Sequence, residues 1–203
     1  MLSKDKIIYV RSLQLKFYKS DQALLKSFFE FENIIFNFCS NINENLMIQV
    51  KLKWLQDEII KDNKNLPFLS LISGKNSEDT KKKLINLINI FSEILLEQRI
   101  NIILKKFKSF NIIFNKIIII NGKSSFQTSF FFQFCLLLFY HKSFRKQLYD
   151  EPLSYFNLTD KSKIDDFELV FIEIFLNSYN LESIKIRKLY FIQKLLIKFL
   201  LRR

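Results

Sequence analysis

The sequence predicts an all-α chain, and three observations carry that prediction. Only 2 Gly and 2 Pro stand in 203 residues, so turns are scarce and the elements between them must be long, which favours helices. Apolar residues recur at three- and four-residue spacing, as do Leu52, Leu55 and Ile59 in "VKLKWLQDEI", with lysine-to-acid pairs on the opposite, wet side. The one conspicuous β-branched run, Ile117 to Ile120, lies between helical patterns without a partner run, so it reads as buried helix or helix end. Hydrophobic residues make up 49% of the chain, enough for one good core, and a single domain over residues 1–203 is expected.

Taken in order, a first helix is expected from Lys4 to Lys19, stopping before "SDQ", where Ser20 or Asp21 can cap the next. The second runs from Asp21 to Ser40. The polar break "NINEN" leads into the helix that holds Trp54, the only tryptophan, ending near Asp62. Pro67 starts a short segment, Gly74 sits in a loop, and Ser77 caps the longest predicted helix, Glu78 to Phe107. After the "NGKSS" break, Ser124 to Tyr149 reads as one strongly apolar helix. A connection "EPLSYFNLTDKSKID" follows, with Asp165 and Asp166 placed to cap the next helix start. Asp166 to Tyr179 and Leu181 to Leu201 close a bundle with buried central helices.

Charge narrows the partners. The net charge is +12, but Ser183 to Arg203 alone holds 7 basic and no acidic residues, so the excess is mainly C-terminal. That asymmetry suits an acidic partner: nucleic acid, anionic lipid or an acidic protein surface. The abundance of Ile, Phe, Lys and Asn points to A- and T-rich codons, so part of the lysine excess carries no functional message. In the last helix Arg187, Lys194, Lys198 and Arg202 form one basic stripe, opposite Leu189, Ile192, Leu196, Phe199 and Leu200. Most amphipathic helices bury such an apolar face at home, leaving the basic side in water. The functional alternative is a helix lying in an anionic membrane surface, Arg187, Lys194, Lys198 and Arg202 forming the contact. Nucleic-acid binding is the weakest of these, because no helix-turn-helix, zinc-finger or RNP pattern accompanies the charge.

Other chemistry has little to stand on. His141 is the only histidine and reads as a surface or helix-end residue, no nucleophile stands with an identifiable base, and two glycines could hardly build a phosphate loop. Cys39 and Cys135 sit among apolar residues without C-x-x-C spacing, as buried thiols of a reducing compartment do. The N-terminal stretch has neither an uninterrupted apolar region nor a small-residue cleavage site, so no secretory signal is expected. The most apolar run, Phe130 to Tyr140, is shorter than the ~20 residues that cross a bilayer.

The order of the motifs resembles the squalene/phytoene synthase family across nearly the whole chain. "LLKSFFEFENIIFNF", a polar break, "IQVKLKWLQDEI" and "LPFLSLI" follow one another as do the family's leu-x-ala-φ-x-ala-phe helix, its ile-arg-leu-gln-trp-trp-arg-asp-glu helix and its his-pro step. Phe31 takes the phenylalanine position, Lys51 the arginine, Trp54 one tryptophan, Asp57 and Glu58 the acidic pair, and Leu66 with Pro67 the his-pro step. Glu97 and Arg99 match a glu-x-arg segment and Gln133 the glutamine of the second Asp-rich helix. "LYDEPLSYFNLT" resembles the segment that follows, and the last helix the family's final one.

This resemblance implies a single helical bundle of the isoprenoid synthase type. Family enzymes join prenyl diphosphates with magnesium held by two Asp-rich motifs, because a hard cation needs oxygen ligands and the leaving diphosphate needs its charge neutralised. Here the four expected aspartates fall on Phe36, Ser40, Tyr140 and Phe144, none of them a carboxylate. Glu30 and Glu32 belong to the preceding turn. The expectation is therefore no magnesium, no cofactor and no prenyl transfer. The chain looks closer to the branch that has lost its Asp motifs, similar to respiratory complex I assembly factor 6. That branch implies a scaffold or assembly factor, in the cytoplasm or the mitochondrial matrix and peripheral to the inner membrane, with a protein partner, an anionic membrane surface or a retained lipid or isoprenoid tail. The competing readings are a prenyl transferase with a rearranged, magnesium-dependent site, a lipid-tail binder, and a basic helical nucleic-acid-binding module.

Overall fold

Helix formation follows the apolar periodicity closely enough that every regular element among the described residues is helical. A computed structural model describes residues 7–39, 45–63, 65–70, 77–122, 126–141, 164–177 and 188–201. The elements are α1 (Ile7–Phe17), a 3-10 turn (Lys19–Asp21), α2 (Gln22–Phe38), α3 (Asn45–Ile60), α4 (Pro67–Ser70), α5 (Ser77–Leu96), α6 (Ile100–Asn121), α7 (Phe130–Tyr140), α8 (Asp166–Asn177) and α9 (Lys188–Leu201). They fall into two compact units, one of Leu15–Gln127 and one of Met1–Gln14 with Thr128–Arg203.

In the Leu15–Gln127 unit, α5 packs on both α6 and α3, and α2 packs on α3, α4 and α6. The buried residues of α2 include Leu25, Phe28, Phe29, Glu32, Ile35 and Phe36, a stripe at helical spacing, and Phe31 widens it toward α4. The ring of Phe31 meets that of Phe68 edge-on at 5.3 Å. On α6 the rings of Phe107, Phe110 and Phe114 stack at 5.5 and 6.3 Å, one turn apart. Each such ring contributes roughly 2–3 kcal/mol by leaving water, so phenylalanine is a major part of the cohesion here, beside the buried Leu and Ile.

The longest predicted helix, Glu78 to Phe107, is in fact two. The chain breaks between Leu96 and Ile100, where the Glu97 carboxylate accepts the backbone N–H groups of Gln98 and Arg99 at 3.1 and 3.0 Å. A side chain that binds the backbone just ahead of it offers the chain an alternative to the helical ladder, and this one turns α5 back on itself without glycine or proline. Lys106 reaches Glu93 across the resulting hairpin at 2.7 Å, and Asn121 donates to Thr80 at 3.0 Å near its far end. The Ile117–Ile120 run falls inside α6, its first two residues buried and its last two exposed, which is helical and not strand periodicity. Gly122 closes α6 by donating to the Ile118 carbonyl at 2.7 Å, and a Cβ there would lie 2.8 Å from that oxygen. Neither Ser20 nor Asp21 caps α2: Lys19–Asp21 form the 3-10 turn, and Asp21 at the N-cap makes no capping bond.

In the other unit α8 packs against α7 and α9. Every residue from Phe132 to Leu138 of α7 and from Phe167 to Ile172 of α8 is buried. Helices apolar on all sides must be surrounded, so these are its central rods. α7 begins at Phe130 and not near Ser124, because the Ser129 hydroxyl accepts the Phe132 N–H at 3.1 Å and sets the helix start. Asp165 caps α8 as expected, its carboxylate accepting the Phe167 N–H at 2.9 Å.

Candidate functional site

Phe36, where the resemblance expects the first aspartate, is held in aromatic packing. Phe36, on the buried stripe of α2, is fully buried, and its ring lies 5.5 Å from Phe91 of α5 and 6.4 and 6.2 Å from Phe107 and Phe110 of α6. A magnesium ion asks for about six oxygens in an octahedron; a ring packed against rings offers none. One carboxylate, Glu32, is buried a turn earlier on the same helix, and a single carboxylate falls well short of that set. Among the described residues no three of His, Cys, Asp and Glu group as metal ligands would. In the second motif Tyr140 ends α7, half-buried, its ring 5.9 Å from Phe139. Ser40 and Phe144 lie outside the described residues.

Within the Leu15–Gln127 unit the remaining motif positions make separate, local contacts. Lys51 sits with its ammonium 5.7 Å from the Phe38 ring centre. Asp57 pairs with Lys53 at 3.0 Å in the manner of a solvated helix surface, while Glu58, largely covered, pairs with Lys61 at 3.7 Å and accepts from the Asn63 amide. Trp54, which a packing role would bury, is 49% exposed, because α3 turns Ile48, Leu52, Leu55 and Ile59 into the core and Trp54 lies on the other side. Pro67 opens α4. Glu97 and Arg99 do meet: the guanidinium donates to both carboxylate oxygens, at 2.9 and 3.1 Å. This fork, with the two backbone donors, holds the Glu97 carboxyl down at about 2. Gln133 is buried in the middle of α7.

A polar cluster that the sequence reading missed lies in the unit containing α8. The Arg11 guanidinium donates to Gln14 at 2.8 Å, to Glu168 at 3.0 Å and to Thr128 at 3.0 Å, and stacks 4.4 Å from the Phe132 ring centre. Glu168 also accepts from the Thr128 hydroxyl at 2.6 Å and the Ser129 N–H at 2.7 Å. All four side chains of this cluster are buried. Burial pushes the Glu168 carboxyl above its ordinary range; Arg11 and the hydroxyl pull it back part of the way. The signal available beforehand was a glutamate inside "DFELVFIEIF", on the face that α8 buries. Gln14 also donates to Glu168 and to Asp165, each at 3.4 Å, so the cluster ties α1 to α8 and to the residue before it.

Burial also shifts the two thiols and the histidine. Cys39 and Cys135 are free and buried, the thiol of Cys39 pushed up to about 12 by burial and that of Cys135 higher still. His141 caps the end of α7 and is buried, not on the surface, and burial lowers its pKa.

The last helix departs most from expectation. Among its described side chains Phe191 and Leu195 are buried, while Ile192, Leu196, Phe199 and Leu200, from the face expected to pack at home, are exposed; the Leu189 side chain lies outside the described ones. Lys198 turns inward to Glu173 of α8 at 3.5 Å, and Lys194 lies 5.7 Å from the Tyr190 ring centre. Arg187 and Arg202 lie outside the described residues. No helix among the described residues is long and apolar enough to cross a membrane. No family profile, curated protein or solved structure matches this chain.

Proposed function

We propose that this chain is a non-catalytic relative of the squalene/phytoene synthases, a helical scaffold of the isoprenoid synthase type that serves a membrane complex as an assembly factor, respiratory complex I being the system its motif order suggests. The observation that carries the non-catalytic part is Phe36: the position where a magnesium-binding aspartate is expected is taken by a ring closed in by Phe91, Phe107 and Phe110. Prenyl transfer needs the departing diphosphate neutralised by oxygen-bound cations, and hydrocarbon edges cannot hold them. An exposed apolar last helix weighs against nucleic acid, whose backbone rewards cations and not leucines.

The test is incubation of the full chain with farnesyl or geranylgeranyl diphosphate and magnesium, following diphosphate release. No release above the protein-free control is expected. Release that a chelator abolishes would overturn the reading and favour the rearranged-site transferase.

A further inference from the structure

We propose that α9 lies in the surface of an anionic lipid bilayer, with Leu196, Ile197 and Leu200 seated at the boundary between headgroups and acyl chains. The scaffold reading supplies only the setting; the attachment itself stands on the side chains of α9.

Projected along the helix axis, Ile192, Leu196 and Leu200 lie side by side, Gln193 separates Leu200 from Ile197 and Tyr190, Lys194 lies at the far margin, and Phe191 with Leu195 occupies the opposite side. Leu196, Ile197 and Leu200 are 55%, 52% and 69% exposed. Scattered exposed leucines need no explanation, but a contiguous apolar arc on one helix does. The inner arc is anchored: Phe191 meets Tyr9 edge-on at 6.3 Å, Phe199 meets Phe167 at 6.3 Å, and Lys198 bridges to Glu173. These contacts fix which side of the helix is offered outward.

The choice of lipid over other occupants comes from charge. From Ser183 to Arg203 the chain carries 7 basic residues and no acidic one, which complements anionic headgroups. A second copy of the helix would set that positive segment against another, so self-association is opposed by like-charge repulsion. Lys194 lies against Tyr190 at the margin of the apolar arc, where a cation and an amphipathic ring settle at headgroup level. At 14 residues the helix is about 21 Å long, short of the ~30 Å hydrocarbon core, so it lies in the interface and does not span.

The experiment uses the full chain and flotation with vesicles of phosphatidylcholine, with and without phosphatidylglycerol. Wild-type protein is expected to float with the anionic vesicles, and added salt to weaken but not abolish binding, since the apolar part is not screened. The double variant Leu196→Asp, Leu200→Asp is expected to lose about tenfold or more in partitioning while keeping the wild-type circular dichroism and melting temperature. Lys194→Glu should weaken binding to the anionic vesicles. An independent readout places the probe on the face itself: in a Trp54→Phe background, Ile197→Trp emission should shift to the blue when anionic vesicles are added. Absence of wild-type flotation, unchanged binding of the double aspartate variant, an unshifted Trp emission, or a dimer in sedimentation that the double variant dissolves would each overturn the proposal. Failure here with diphosphate release still absent leaves the scaffold reading standing, whereas diphosphate release alongside intact vesicle binding removes only that reading.

Discussion

At the scale of single residues, two buried positions carry the argument. Phe36 fills space among three other rings, so Phe36→Asp would bury a carboxylate in hydrocarbon and lose the ring besides, a loss of about 4 kcal/mol or more. Thermal unfolding is expected to show that loss with no recovery on adding magnesium; a magnesium-dependent rise in melting temperature would reveal ligands at this position after all. Arg11 and Glu168 form a buried ion pair, and taking away one partner strands the other. Arg11→Met should cost about 3 kcal/mol in urea unfolding, and Arg11→Met with Glu168→Leu should recover much of it. The pH dependence has a definite sign. Burial raises the Glu168 pKa in the fold, so its favourable contribution is full below its ordinary value and is lost as pH rises through the folded one. Arg11 opposes that rise, and the penalty of Arg11→Met should therefore be smaller in acid than at neutral pH. Equal penalties at both would show that Glu168 does not titrate in the fold.

Among the elements, the hairpin of α5 and α6 shows how one side chain divides a helix. "LLEQRINII" has unbroken helical periodicity and no glycine or proline, which is why one long helix is the natural expectation. Four hydrogen bonds to the Glu97 carboxylate, two from backbone and two from Arg99, break the ladder instead. Glu97→Gln removes the charge that gathers them and should loosen the first turn of α6, seen as faster amide exchange at Ile102 and Ile103, which donate to the Arg99 carbonyl. In the wild-type protein this contribution is present above the ordinary carboxyl range and is lost as pH falls toward about 2, so a carboxyl titration by NMR should place Glu97 there. An ordinary Glu97 titration would remove this account of the turn. Of the family-like motif, the glu-x-arg pair thus has a local, structural duty, and so does Phe31 on Phe68.

For the whole molecule, the two cysteines report on the two compact units separately, Cys39 within Leu15–Gln127 and Cys135 within the other. Both thiols are buried and raised in pKa, so thiolate is scarce in the fold, and a disulfide-exchange reagent at neutral pH should label each only as its unit opens. Mass spectrometry of the two peptides then gives two opening free energies; labelling of either at the rate of a free thiol would show that burial wrong. The sequence by itself determined that the described elements are helical, where several of their starts fall, and that α7 and the Leu52, Leu55 and Ile59 face of α3 are buried, because spacing and punctuation are local properties written residue by residue. Only the tertiary structure decided the rest. Periodicity says that α9 has an apolar face but not whether a neighbour is wide enough to cover it, and the fold buries Phe191, which meets Tyr9, and Leu195 while Leu196, Ile197 and Leu200 stay open. Nor could spacing pair Arg11 with a glutamate 157 positions away, since contact between distant residues is set by how helices pack and not by what stands beside each in the chain.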